Sequence, residues 1–289
     1  MQTRLLQPED YPTARALWQA RFGDAPVYLD FMFSRYIPET GTFGYGTFSD
    51  GGALLSMAFA RPTAYMIDGR ETPAVFIFSV ATAEANARQG LMRKTVLALL
   101  LHASIATKAR FALLRPAQIR YYESLGFRPA TSAAEFRGCP SPREGGGELP
   151  RPINAGINAY LRAHRLCLLP YNFAAPRREM SMRLHIAEVE ADGGHAEFLR
   201  LSETQGAYVL YHIRENHIDI DELAAPKEYI YSILEYLYSK HNKPIHASLP
   251  PDMPGMAPEQ VQPQNLYLTL RAEFTFNPSI PAYSTDAYC

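Results

Sequence analysis

Net charge, cysteine and long apolar runs are all scarce in this chain, and each scarcity removes a class of function. Lys and Arg number 28 against 29 Asp and Glu, a formal charge of -1. No global field draws the chain to nucleic acid or to an anionic membrane, so any anion site has to be local. Neither nucleic acid nor membrane is therefore an expected partner. Three cysteines, Cys139, Cys167 and Cys289, are too scattered for a disulfide framework and form no CxxC pair for structural zinc. A reducing, cytoplasmic compartment and no metal are the expectations. The start, MQTRLLQPEDYPTARALW, has acidic residues where a signal peptide needs an apolar core, and the longest apolar stretch, near 95–106, is interrupted by His102 and too short to span a bilayer. No GxGxxG occurs and no GK[ST] follows Gly90, which leaves little support for dinucleotide or phosphate-loop NTPase chemistry.

What is present is ample material for packed cores. Of 289 residues 47% are hydrophobic, enough for two domains of ordinary size. The clearest break in composition is 139-CPSPREGGGELPRP-152, a linker signature. It separates a first unit, 1–138, from a second, 153–289. In the first, TRLLQP reads as a strand, YPTARALWQARF as a helix opened by acidic residues, and APVYLDFMFSRYI as a second helix. Residues 42–48 and 53–62 read as a hairpin turned at Ser49-Asp50-Gly51-Gly52. Asp68-Gly69 turns into a strand over 74–82, followed by a helix over 91–108, a strand at 111–116, a short helix at 117–126 and a last strand pair within 127–138. The second unit opens with a helix, INAYLRAHRLCLL, and an irregular region around 171–196. GAYVLYHIRENHIDIDELA then reads as a strand pair, 227–241 as a helix, and 245–250 and 265–271 as strands. Strand pair, helix, strand repeats the order of 53–116, so the expected fold is mixed α/β with two copies of one architecture.

The stretch 86-NARQGLMRK-94 leads from a strand straight into an apolar helix. Helix N-termini carry unpaired N–H groups and the positive end of the macrodipole, so such a turn can hold phosphate oxygens, with Gly90 admitting a close approach and Arg88 and Arg93 adding charge. It can equally be a plain solvated turn. Taken with 121-YYESLGF-127 after the next strand, it resembles the GNAT superfamily of acyl-CoA-dependent N-acetyltransferases, over about 1–138. The form ARQGLMRK, the run 21-RFGD-24 and the second similar unit look most like its Eis-type (enhanced intracellular survival) branch, a tandem of one active and one degenerate GNAT domain. Members usually end in a third domain like a sterol carrier protein, for which the expectation here is no room.

The resemblance implies an acetyl-CoA-dependent transfer to a primary amine, carried by a small molecule or a peptide. It implies a pyrophosphate site on the backbone of Arg88, Gln89, Gly90, Met92 and Arg93, and a pantetheine arm along Val80 and Thr82. Tyr122 becomes the general acid toward the departing thiolate, since a phenol is protonated at neutral pH. Phe22 and Asp24 become the acceptor pocket. Ala87 and Met92 depart from the family's loop, where Arg or Gln and a small residue are usual. The general base stays open between Glu84, Asp24, a water chain and the terminal carboxylate of Cys289. Against these roles stand packing for Tyr122 and for the aromatics Tyr28, Phe31 and Phe33, and helix capping for Asp24. A binding or scaffold protein that has lost catalysis is the alternative, and a homo-oligomer stays open. In the second unit, 223-LAAPKE-228 has no glycine and Pro226 lacks an N–H, so that copy is expected to be structural. His217, Asp219, Asp221 and Glu222 are residue types that could suggest a metal, but alternation along a strand reads them as its exposed face, and Tyr229, Tyr231, Tyr236 and Tyr238 read as cover for a sheet and an interface.

Overall fold

The computed structural model describes residues 1–140, 148–253, 261–271, 274–276 and 278–283. Half of the Pro/Gly linker, 141–147, and Cys289 lie outside the described residues.

The first half runs β1 (Gln2–Leu5), α1 (Tyr11–Phe22), α2 (Pro26–Phe31), a π-helical turn (Met32–Tyr36), α3 (Ile37–Thr40), β2 (Phe43–Phe48), β3 (Leu54–Ile67), β4 (Arg70–Thr82), α4 (Leu91–Ala106), β5 (Phe111–Leu114), α5 (Ile119–Glu123), β6 (Arg128–Pro129) and β7 (Ser132–Gly138). The second continues with β8 (Arg151–Ile153), α6 (Ile157–Cys167), α7 (Glu179–Ala191), β9 (His195–Arg200), β10 (Gly206–Ile213), β11 (Ile218–Ala224), α8 (Lys227–His241), β12 (Ile245–Leu249), β13 (Val261–Pro263) and β14 (Leu266–Thr269). Two seven-stranded sheets result, ordered β1-β2-β3-β4-β5-β14-β6 and β13-β7-β12-β11-β10-β9-β8. In each, one parallel pair, β4 with β5 and β11 with β12, is joined through a helix. This is the mixed α/β architecture in two copies that the order of elements implied.

The sheets exchange strands. β6 and β7, read from sequence as a pair, part company: β6 pairs with β14, and β7 pairs with β12 and β13 of the second sheet. β14 lies between β5 and β6, antiparallel to both. Its Leu266 is fully buried in the apolar cluster under α4, with Val96, Leu99, Leu114 and Tyr122. A backbone seam adds to this link, with Met66 N donating to Ala174 O and Phe173 N to Met66 O, both at 2.8 Å. The region around 171–196 is not irregular throughout, because α7 occupies Glu179–Ala191. Its buried positions, Met182, Leu184, His185, Glu188 and Val189, include two charged types, which hides the apolar stripe.

Those charged residues join a buried ionic cluster around Glu222 on β11. Arg177 Nη2 donates to Glu222 Oε2 at 2.8 Å, His185 Nε2 lies 3.2 Å from the same oxygen, and the Tyr208 hydroxyl donates to Oε1. His185 Nδ1 also meets Glu188 at 3.4 Å. Burial alone would raise the Glu222 pKa, but Arg177 and His185 outweigh it and hold the carboxyl well below its usual range. Sequence alternation placed Asp221 and Glu222 on an exposed face, and the structure corrects this: both are buried. A bulge between Leu210 and Tyr211 pairs Leu210 with Glu222 and Tyr211 with Ile220, leaving Asp221 extra and breaking the two-residue period.

Two substitutions test these links. Leu266→Ala is expected to cost about 2–5 kcal/mol by opening a cavity, seen as a lower urea midpoint in the fluorescence of Trp18, the single tryptophan; an unmoved midpoint would contradict the exchange. Glu222→Gln is expected to cost about 3–5 kcal/mol at neutral pH by leaving buried cations uncompensated. A carboxyl with a depressed folded pKa contributes stability above its unfolded pKa and loses it as pH falls through the folded one. The gap between variant and parent in chemical denaturation should therefore narrow in acid.

Candidate active site

β4 outruns its parallel neighbour. It pairs with β3 from Arg70 to Thr82, but with β5 only where Ala74–Ile77 meets Phe111–Leu114. Arg115 and Pro116 then leave the sheet, and Pro116 has no N–H to extend a ladder. Among the described residues no strand pairs with Phe78–Thr82 on that side, so their backbone groups face a gap between diverging strands.

A bulge sits in that segment. Phe78 pairs with Phe59 and Ala81 with Met57, so Ser79 and Val80 together oppose Ala58. Ser79 takes a positive φ of 48°, a conformation costing a non-glycine residue about 1–3 kcal/mol unless its surroundings enforce it. Ser79 is buried, and its Oγ has no hydrogen-bond partner among the described residues. Sequence reasoning missed it, since a lone serine in an apolar strand carries no signal. The Thr82 hydroxyl donates to Ser56 Oγ at 3.1 Å, and Ser56 Oγ donates to Ala81 O at 2.9 Å. The Thr82 side chain is thus turned toward β3, leaving its backbone as what the gap can use.

From β4 the chain passes through a 3₁₀ turn (Glu84–Asn86) into α4. Arg88 at φ 62° and Gly90 at φ 73° make the left-handed steps that reverse it. Nothing lies within 4 Å of where a Cβ on Gly90 would stand, so the approach to the loop is open. Gly90 is the N-cap of α4, no side chain caps the helix, and its first turn holds no acidic residue. The first-turn amides are left for an external acceptor. Ala87, Arg88, Gln89 and Gly90 are exposed. Arg93 Nη1 donates to Ser124 O at 3.3 Å, linking the start of α4 to the end of α5. Met92 does not crowd the loop: it packs into the apolar cluster beneath α4 with Val80, Tyr121 and Tyr122. A hydroxyl relay holds α4 in place, Thr3 donating to Thr47 (2.8 Å), Thr47 to Thr95 (2.7 Å) and Thr95 to Leu91 O (3.0 Å).

Tyr122 on α5 is buried, its ring edge-on to Tyr121 at 5.2 Å and to Phe127 at 5.8 Å. Among the described residues its hydroxyl has no hydrogen-bond partner, and burial pushes its pKa upward, which keeps the phenol a donor. Tyr121 shares the same cluster, with a buried hydroxyl that also lacks a partner.

On the opposite face of β4, Trp18 gathers Phe33, Phe59 and Phe78 at centroid distances of 5.7, 5.8 and 6.1 Å. Phe78 is the first β4 residue beyond the pairing with β5. Trp18 Nε1 donates to Asp24 Oδ2 at 2.6 Å, and exposed Phe22 lies edge-on to Trp18 at 6.3 Å. Asp24 and Phe22 are thereby anchored to the aromatic floor, and Asp24 does not cap α2, whose N-cap is Ala25. Tyr28 is buried, and Phe31 and Phe33 pack on the core. Glu84 is bound from outside by Arg21, 3.3 Å away.

The second copy keeps the skeleton and changes the chemistry. β11 pairs with β12 only at Ile218–Ile220 and carries its own bulge at Asp221, yet the residues beyond are engaged in the Glu222 cluster. Only Ala225 and Pro226 separate β11 from α8, and Glu228 puts negative charge in its first turn, where an anion would sit. A cleft of about 720 Å³ lies elsewhere, between α6 and the β9–β10 turn, and no residue singled out from sequence as catalytic or cofactor-binding lines it. No helix among the described residues is long and apolar enough to cross a membrane.

Residues 2–130 match the family model described as Acetyltransferase (GNAT) domain. Most of the chain superposes on solved structures of the same architecture. A probable N-acyltransferase of unknown function from Enterococcus faecalis V583 gives a TM-score of 0.73 at 16% identity, over 93% of this chain and 72% of that one. A GCN5-related N-acetyltransferase from Kribbella flavida gives 0.68 at 17%, over 93% and 71%. Eis1 from Mycobacterium abscessus gives 0.66 at 18%, over 94% and 75%. At such identities the likeness is one of fold. No curated protein matches by sequence.

Proposed function

Because residues 2–130 match the GNAT acetyltransferase domain model, we propose that this protein is an acetyl-CoA-dependent N-acetyltransferase acting on a primary amine, with its chemistry in the first half. One observation carries the reading: β4 presents an unpaired, bulged edge that leads directly into an uncapped helix start. An extended amide-bearing arm can add to such an edge as a half-strand, and a pyrophosphate can lie on the helix amides. Phe78–Thr82, Val80 and Thr82 among them, take the arm through backbone groups. Gly90, Met92 and Arg93 offer amides, Gln89 lies in the same turn, and Arg88 adds an exposed positive charge.

The bound thioester supplies an activated acetyl group. The amine lone pair forms the C–N bond at its carbonyl, the C–S bond breaks, and Tyr122 gives its proton to the departing sulfur. A phenol whose pKa is raised by burial holds that proton until negative charge develops. The amine's own proton leaves through Asp24 or water, while Arg21 ties Glu84 to the outside of the loop. Trp18 holds Asp24 Oδ2, and the other carboxylate oxygen is the one to face a cationic amine.

Binding without transfer gains from one fact, that Asp24 and Glu84 are both already engaged. The two readings separate in a single series. Acetyl-CoA is expected to raise the melting temperature, amines to release free thiol, and Tyr122→Phe to lower kcat about 10²- to 10⁴-fold with acetyl-CoA affinity kept. No thermal shift at millimolar acetyl-CoA would overturn the proposal. A shift without thiol release across a broad amine panel would favour the binding protein.

A further inference from the structure

One cluster has ligand chemistry that neither the fold nor the proposed transfer uses. His217 immediately precedes β11, Asp219 lies two residues on, and His246 is the register partner of Asp219 on the parallel strand β12. Positions two apart along a strand share a face, so the pairing brings three donor side chains to one spot. The imidazoles of His217 and His246 stack with centroids 4.0 Å apart and planes 28° from parallel. His217 Nε2 is 3.0 Å and His246 Nδ1 3.7 Å from Asp219 Oδ1, and one donor atom from each residue lies within 4.8 Å of the other two. Ligands held about 2.0–2.1 Å from a tetrahedral zinc ion stand roughly 3.4 Å apart, so the two measured edges fall on either side of that value.

The surroundings suit a cation site as well. Arg214 Nε takes the other carboxylate oxygen, Asp219 Oδ2, at 3.2 Å, and so turns Oδ1 toward the imidazoles, the kind of outer contact that orients metal-binding carboxylates. All three side chains are half-exposed, which leaves a fourth position open to solvent.

We propose that His217 Nε2, His246 Nδ1 and Asp219 Oδ1 bind one divalent first-row transition ion of the zinc type, tying the entry of β11 to that of β12. Two imidazoles and one carboxylate favour zinc and its neighbours over magnesium or calcium, which take oxygen. This site stands apart from the transferase reading and does not depend on it.

The test is calorimetric titration of the full chain with Zn²⁺, with Co²⁺ absorption as a report on ligand number. One ion per chain is expected, together with a zinc-dependent rise in melting temperature. His217→Gln, His246→Gln and Asp219→Asn should each weaken binding by at least about 100-fold, the upper end of what losing a supporting partner costs a metal site. His195→Gln, at a separate histidine whose ring lies tilted against Tyr211, should leave it unchanged. The half-exposed positions let the variants keep the parent's circular dichroism, and should one fail to fold, either of the other two answers the same question. Absence of binding at millimolar Zn²⁺, or undiminished binding when His217→Gln and His246→Gln are combined, would overturn the proposal.

Discussion

Everything at the candidate site follows from where β4 and β5 stop being neighbours. Their ladder ends at Ile77 and Leu114, yet β4 runs on to Thr82 with β3 still beside it. β5 cannot close the gap, because its far edge is already occupied by β14. The opening is therefore fixed by strand pairing from both halves of the chain. On its α4 side lie Val80, Met92, Tyr121 and Tyr122 in one apolar cluster. On the other lie Phe78, Trp18 and, through the indole N–H, Asp24.

The two copies show how one skeleton serves two ends. Both have a parallel pair, a crossing helix and a bulge in the longer strand, at Ser79 in one and Asp221 in the other. In the first the bulged segment faces a gap, and the helix that follows starts without a cap or an acidic residue. In the second the segment is bound into a buried network, with Arg177, His185 and Tyr208 on Glu222, and the helix begins with Glu228 in its first turn. A buried charge with several partners is costly to disturb. The second copy is fastened where the first is open.

Much of this was legible in the residues, and the limits have physical reasons. The α8 boundaries, Lys227 to His241, follow from a sustained helical period, and the loop at Gly90 stood out only in company with the later YYESLGF, since a glycine between a strand and a helix also suits a plain turn. The exchange of β7 and β14 was not legible, because alternation marks a strand but not its partner. Ser79 was invisible for a related reason, since a bulge is a property of register rather than composition. The same effect buried Asp221 and Glu222, whose charges read as surface. Met92 departs from the small residue usual at its place in the motif, and only the structure shows it packed against the apolar cluster that includes Tyr122. His246 could not be joined to His217 and Asp219 before the parallel register of β11 and β12 was known.

The central claim is that the open edge of β4 and the start of α4 together form a cofactor cradle that the second copy lacks. Backbone hydrogen exchange, followed with and without acetyl-CoA, tests it at the amides concerned. Protection is predicted across Phe78–Thr82 and Gly90–Arg93, with no change at the corresponding turn around Ala225–Glu228. Unaltered exchange in both first-half segments at saturating acetyl-CoA, or equal protection in the second-half turn, would contradict the account.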